Sequence, residues 1–411
     1  MQTQSAITPD ARFVVIGVPG GKRIELFQAA LLRLGREPAR VVSWAELSAG
    51  RVTLEQVVRP DDIVRIDSPG RDFEVDRLLL AAGADAADEE DGERLRYDHL
   101  DRDSAARVAF DKGMILPSRQ WFLGFRRVLG ELKMQLWRCP RHRMMNDIDD
   151  IITMFDKRAC HARLDAAGVT VPRALGPVCS FEQLLAGMRE TGLRRVFVKI
   201  AHGSSASGVV AYQISPAGHQ QAITTVEMAD SGGGLQLYNS RQIFTYRDSR
   251  QIARLIDALA RHRVHVEQWL PKAGINGLVF DLRVMVIAAQ ARQTVVRLSK
   301  GPLTNLHLLN QRSGAEAVRL RMGETRWAAA IAECRRAMAC FPGSLHGGVD
   351  LLIAANFRQH AILEINAFGD LLPGVLCAGE DAYETQIRQM IGMDAGLPTA
   401  ADSAEERRVG S

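Results

Sequence analysis

The stretch VDLLIAANFRQHAILEINAFGD, residues 349–370, is an apolar run interrupted by Asp350, Glu364 and Asn366. It has the pattern of a hairpin centred on Phe357. In that register Asp350 lies opposite Glu364 and Leu352 opposite Ile362. Side chains alternate along a strand, so Asp350, Glu364 and Asn366 share one face. Val349, Leu351, Leu363 and Ile365 take the other, against a core. Two facing carboxylates repel, and half burial makes them costly unless a cation lies between them. Oxygen-only ligands suit a hard cation, Mg2+ or Mn2+, and so few protein ligands leave room for phosphate oxygens.

If phosphates reach that face, donors belong elsewhere in the chain. Lys199 stands in VFVKIA, where a strand ordinarily carries an apolar residue, and a buried ammonium needs an anion. HGSSASGVV (202–210) follows, a small-residue loop able to close backbone N–H groups around phosphates and to move as a flap. Lys157, in MFDKRACHARL, reads by itself as an exposed helix lysine. Glu267 lies in the strand HVEQWLP, which offers backbone groups to a purine edge or is a plain connecting strand. Arg283 and Arg297 sit in apolar strand-like segments; they suit either bidentate anion holding or an internal salt bridge, for instance with Asp281.

The rest of the chain supplies the setting. With 411 residues it builds two or three cores. Strand, helix and strand at 12–18, 21–35 and 39–44, with another strand at 61–67, predict a parallel, doubly wound N-terminal domain. VPGGK (18–22) lacks phosphate-loop spacing and reads as a turn. A helix is predicted over 151–166 and others at 249–262 and 325–340. The segment 85–103 reads as a solvated loop or helix, 215–250 as a loop or insertion, and 399–411 as a disordered tail.

Lys+Arg (52) exceeds Asp+Glu (48) too slightly to argue for nucleic acid. No apolar run is long enough for a bilayer, and the first ten residues lack signal-peptide regions, so a cytoplasmic protein is expected. The six cysteines are scattered without a Cys-x-x-Cys pair, which argues for reduced, mostly buried thiols.

In this order, FDKRACHARLDAAGVTVP, VFVKIAHGSSASGVV, VHVEQWLP, FDLRVMVI, VVRLSKGPLTNLH and VDLL…LEINAFG resemble the ATP-grasp superfamily, in its amino-acid and peptide ligase branch typified by ribosomal-protein glutamate ligases and glutathione synthetases. The resemblance implies an α/β fold, α+β in the C-terminal half: an N-terminal Rossmann-like domain (1–140), a central lobe with a phosphate flap (141–265) and a C-terminal lobe with a metal site (266–398). It implies ATP and two Mg2+ (or Mn2+) as cofactors. Lys157 and Lys199 would contact phosphates, with Gly203, Ser204, Ser205, Ser207 and Gly208 in the flap and Asn305 near phosphate and metal. Glu267, Gln268, Trp269 and Leu270 would form the adenine hinge. Asp350, Glu364 and Asn366 would hold metal, while Arg283, Arg297 and Lys199 would serve the transferring phosphate or the acyl intermediate. Where many relatives carry an acid for the ribose, PKAGING (271–277) has none.

The implied reaction is ligation of a carboxylate, on an amino acid, small peptide or polypeptide, to an amine acceptor through an acyl phosphate. Neither nucleic acid nor membrane is an expected partner; a homodimer is an open alternative. The rival expectation is a non-catalytic ATP-binding sensor or scaffold.

Overall fold

The computed structural model describes residues 11–70, 72–89, 97–203, 207–231, 234–304, 311–369 and 372–392. The N-terminal part runs β1 (Phe13–Gly17), α1 (Lys22–Arg33), β2 (Arg40–Ser43), α2 (Trp44–Ser48), β3 (Ile63–Ile66), α3 (Phe73–Glu89), α4 (Arg102–Arg107), α5 (Ser118–Arg138) and β4 (Arg143–Met144). The strands form a parallel sheet in the order β2-β1-β3-β4. Every residue of β1 and β3 is buried, the continuous apolar pattern of strands covered on both faces. The predicted VPGG turn is present, with Gly20 at φ 71°. Helices α3 and α5 meet at two glycines. A Cβ on Gly83 would fall 1.9 Å from the Gln120 carbonyl oxygen, and one on Gly124 would fall 1.8 Å from that of Leu79.

The middle of the chain adds α6 (Ile148–Phe155), α7 (Lys157–Ala166), α8 (Phe181–Thr191), β5 (Arg195–Ile200), β6 (Val209–Ile214), β7 (Gln220–Ser231), β8 (Gly234–Tyr246), α9 (Ser249–Ala260) and β9 (Val264–Gln268). The single helix expected over 151–166 is broken at Asp156. Its carboxylate accepts from the backbone N–H groups of Arg158 and Ala159, capping a new helix start. The stretch 215–250, expected as a loop, contains the two longest strands, β7 and β8, of 12 and 13 residues. Its mixed polarity arises because β8 is an edge strand of the antiparallel sheet β8-β7-β6-β5-β9. Helices α8 and α9 cover one face of that sheet.

The last part comprises β10 (Gly274–Ile275), β11 (Leu278–Ile287), β12 (Gln290–Ser299), β13 (Gln311–Ser313), α10 (Glu316–Met322), α11 (Glu324–Ala339), β14 (His346–Ile353), β15 (His360–Asn366) and α12 (Ala382–Ile391). Its antiparallel sheet has the order β13-β12-β11-β14-β15, with β10 also on β11. Helices α6, α7 and α11 pack beneath it in the main core. Helix α12 returns to α1, sharing a small core with Phe13 and Phe27. The expected tail, 399–411, lies outside the described residues, as do 90–96 of the charged stretch.

The hairpin of β14 and β15 turns at Phe357, which adopts φ 55°. Asp350 does pair with Glu364, but Leu351, not Leu352, faces Ile362. A β-bulge at Leu363 causes the shift. It places Ile362 and Ile365 in the core with Val349 and Leu351, and turns Leu363 to the side of Glu364. The expected core position of Leu363 is therefore corrected.

Because the glycine contact between α3 and α5 leaves no room for a methyl group, Gly124→Ala should cost about 1–3 kcal/mol of stability. A lowered denaturation midpoint checks this.

Candidate active site

Arg283, Asp350 and Glu364 lie on one transverse line across β11, β14 and β15. On a neighbouring line, Arg312 of β13 pairs with Arg297 of β12, which pairs with Asp281 of β11. Asp350 accepts from Arg283 through Nε and, at 3.2 Å, through Nη2. Arg297 Nη2 lies 3.1 Å from the same carboxylate, and its Nε donates to Asp281 at 2.7 Å. Both arginines are thus tied into internal ion pairs, as the salt-bridge alternative expected, and both still line a cleft of about 1220 Å³.

Glu364 faces the opposite wall. Lys157, at the start of α7, places Nζ 3.4 Å from its carboxylate and donates to the Gly203 carbonyl at 2.6 Å. Lys157 is accordingly partly buried, not the exposed helix lysine that its local sequence suggests. Burial opposes Glu364's charge, but Lys157, Lys199, Arg283 and Arg297 outweigh it and hold the acid at about 2. Asp350 shifts the other way: burial and the charge of Glu364 push it up against the pull of Arg283 and Arg297.

Lys199 on β5 is half-buried and meets the Glu267 carboxylate at 2.5 Å; His265 Nε2 lies 3.1 Å from that same acid. The anion that Lys199 was expected to need is supplied by the protein. Burial lowers its affinity for a proton, but Glu267 and Glu364 outweigh this and raise its pKa. Glu267, engaged by Lys199 and His265, is not a free group at a purine edge. The N–H groups of Gln268 and Trp269 are also taken, by the carbonyls of Arg173 and Arg195 at 2.8 and 3.0 Å. Trp269 packs on Phe197, while Glu267, Gln268 and Leu270 line a narrower slot of about 100 Å³ between the two antiparallel sheets.

Lys157, Gly203, Ser207, Arg297 and Glu364 line both slot and cleft, so the two cavities meet there. Gly208 adopts φ +62° against Ile200, where a Cβ would lie 2.1 Å from Ile200 Cδ1. Ser204, Ser205 and Asn305 lie outside the described residues. Asn366 lines the cleft and donates Nδ2 to the Gly348 carbonyl at 3.1 Å, which leaves its amide oxygen as an acceptor. Among the described residues no three His, Cys, Asp or Glu form a metal cage. Two carboxylates and one amide oxygen fit a hard divalent cation that completes its shell with ligand oxygens or water.

Several groups here were not read from the sequence. Lys272 is buried in the slot, donating to Asp281 at 2.8 Å and to Thr304 at 2.6 Å; burial lowers its pKa. Asp156 receives Arg263 at 2.6 Å and lies 3.2 Å from His202, which stacks on Phe122 at the base of the flap. From α1, Arg23 donates to the Phe368 carbonyl at 2.6 Å, and the supposedly plain Gly20–Gly21 turn lines the cleft beside it. The only available signal for Lys272 was a lysine next to the hinge; the others had none. Of the six cysteines only Cys160 and Cys334 are fully buried, fewer than expected, and none forms a disulfide. No described helix is long and apolar enough to cross a membrane.

Lys199→Met leaves Glu267 buried beside His265 alone and should cost about 3–5 kcal/mol of stability; adding Glu267→Gln should recover most of it. Denaturant titration of both variants checks this. Burial depresses His202 and His262 to about 4 in the folded chain, against an unfolded value near 6.5. The unfolded state therefore takes up more protons below that value. Stability should be fully present above about pH 6.5 and fall as pH drops towards 4, with a shallower fall in His202→Phe; the denaturation midpoint across this range reads both.

No protein-family model and no curated protein matches the chain. Among solved structures, D-cycloserine synthetase DcsG is 15% identical with a TM-score of 0.53, over 93% of this chain and 100% of its own. The ADP complex of N5-carboxyaminoimidazole ribonucleotide synthetase purK is 13% identical with a TM-score of 0.56, over 95% and 79%. The Aspergillus clavatus N5-carboxyaminoimidazole synthase, with ADP and 5-aminoimidazole ribonucleotide, is 13% identical with a TM-score of 0.50, over 96% and 79%. At such identities the likeness speaks for architecture, and it bears out the resemblance carried by the ordered motifs: the chain has the ATP-grasp fold.

Proposed function

We propose that this protein is an ATP-dependent, ADP-forming carboxylate–amine ligase working through an acyl phosphate. The observation that carries the reading is the junction of slot and cleft. There the paired carboxylates Asp350 and Glu364 meet Lys157, Lys199, Arg283 and Arg297, on a fold shared with an ADP-binding synthetase. The purine would lie in the slot against Leu270, Leu352 and Leu363. Its phosphates would point to Lys157, Lys199 and the flap residues Gly203, Ser207 and Gly208. Asp350, Glu364 and the Asn366 amide oxygen would hold Mg2+, or Mn2+, in two ions. When bound, the metal supplies neutralisation of phosphate charge during transfer.

The substrate carboxylate oxygen attacks the γ-phosphorus; the bond to the bridging oxygen breaks and ADP leaves. An amine then attacks the acyl carbon, its proton departs, and the carbon–oxygen bond to phosphate breaks. Phosphoryl transfer requires positioning and charge neutralisation more than covalent help from the protein. Lys157 and Lys199 provide fixed positive charge at the junction. Arg283 and Arg297, already oriented by Asp350 and Asp281, stabilise the developing charge with little reorganisation. The flap excludes water that would hydrolyse the acyl phosphate. The fold and the donor chemistry are compatible with a small molecule or a peptide as the acid.

Glu364→Gln should reduce acceptor-dependent ADP release at least ~100-fold while the melting transition stays close to that of the parent chain. A survey of amino acids, small peptides and co-encoded proteins, following ADP, supplies the substrate. Undiminished turnover in the variant would overturn the metal assignment. Tight Mg·ATP binding with no ADP release for any acid would favour the sensor or scaffold reading.

A further inference from the structure

The cations that line the junction are already committed to internal acceptors: Arg283 to Asp350, Arg297 to Asp281 and Asp350, and Lys157 to Glu364 and Gly203. Arg312 is different. It lines the large cleft, is exposed, and has no hydrogen-bond or ion-pair partner among the described residues. Its cross-strand neighbour is Arg297. Like charges directly opposite on an antiparallel pair destabilise it, and both carboxylates next to Arg297 are already shared with Lys272 or Arg283. An anion entering from the cleft would relieve the repulsion and give the guanidinium a bidentate partner.

The position of Arg312 says which anion. Arg297 borders both cavities, whereas Arg312 borders the cleft and not the slot. A group docked on Arg312 therefore lies one strand beyond the junction where phosphate and reacting carboxylate would meet. We infer that Arg312 binds a second, non-reacting carboxylate of the acid substrate. The substrate class is then a dicarboxylic acid, or a peptide that carries a further acidic group besides its reacting carboxylate. This rests on the ligase reading above and adds a specificity-determining residue to it.

The test uses the full chain with saturating Mg·ADP and compares glutarate with valerate, acids of equal length carrying two carboxylates and one. Calorimetric titration should show glutarate binding about 10-fold or more tighter in the parent chain. Arg312→Gln should bring that ratio close to 1, and Arg312→Lys should restore part of it, with the Kd for Mg·ADP unchanged in both. Equal binding of the two acids by the parent chain, or a preference that survives Arg312→Gln, overturns the inference. So does weaker binding of a non-hydrolysable Mg·ATP analogue to Arg312→Gln with the acid preference intact, since Arg312 would then serve the nucleotide. Failure of the parent chain to bind Mg·ADP while still preferring glutarate through Arg312 would sink the ligase reading and leave the anion site standing.

Discussion

Two carboxylates face each other across a buried antiparallel ladder, Asp350 on β14 and Glu364 on β15. Ionised together without compensation they would oppose folding of the hairpin. The chain compensates with cations from four different elements: Arg283 from β11, Arg297 from β12, Lys157 from the start of α7 and Lys199 from β5. Each cation arrives from a separate part of the sequence, so meeting the charge demand of one hairpin also brings the two antiparallel sheets and α7 to a common seam. The slot and the cleft are the space left along that seam.

The compensation extends outward. Arg297 needs Asp281, Asp281 takes Lys272, and Lys272 takes Thr304. Lys199 needs Glu267, which in turn engages His265. A buried ion pair contributes little net stability, but removing one member is expensive, so such a chain of pairs holds side chains in fixed geometry. That rigidity is what transfer of a charged group requires, because donors oriented beforehand need not reorganise during the reaction. The same network separates cations already satisfied within the protein from Arg312, which has no partner among the described residues.

Much of this was legible locally. The facing of Asp350 and Glu364 followed from period-two alternation about Phe357, and the parallel N-terminal strands from apolar runs spaced by a helix. The resemblance to the ATP-grasp superfamily rested on the order of the motifs, which survives in a chain only 13–15% identical to the solved structures it matches. Other features were not legible. The bulge at Leu363 changes which residues face the core, yet an apolar run looks the same with or without it. The long strand β8 was missed because an edge strand exposed to water loses clean alternation, and β7, its hairpin partner, was missed with it. Lys157 read as an exposed lysine since nothing near it in sequence reveals that α7 points its first turn at β15.

The sequence by itself determined the elements whose cause is local: strand alternation about Phe357, the apolar runs of the parallel N-terminal strands and the glycine turn at 18–22. Tertiary structure alone decided which charges are spent and which are available. Arg283 and Arg297 look equivalent in sequence, each a guanidinium in an apolar strand-like segment, and Arg312 stands out in no way. Only the lateral order β13-β12-β11-β14-β15 gives the first two an aspartate within reach and leaves the third facing the cleft. The physical reason is that Coulombic pairing depends on distance in space, and strands adjacent in this sheet are separated in the chain by loops and helices of very different length.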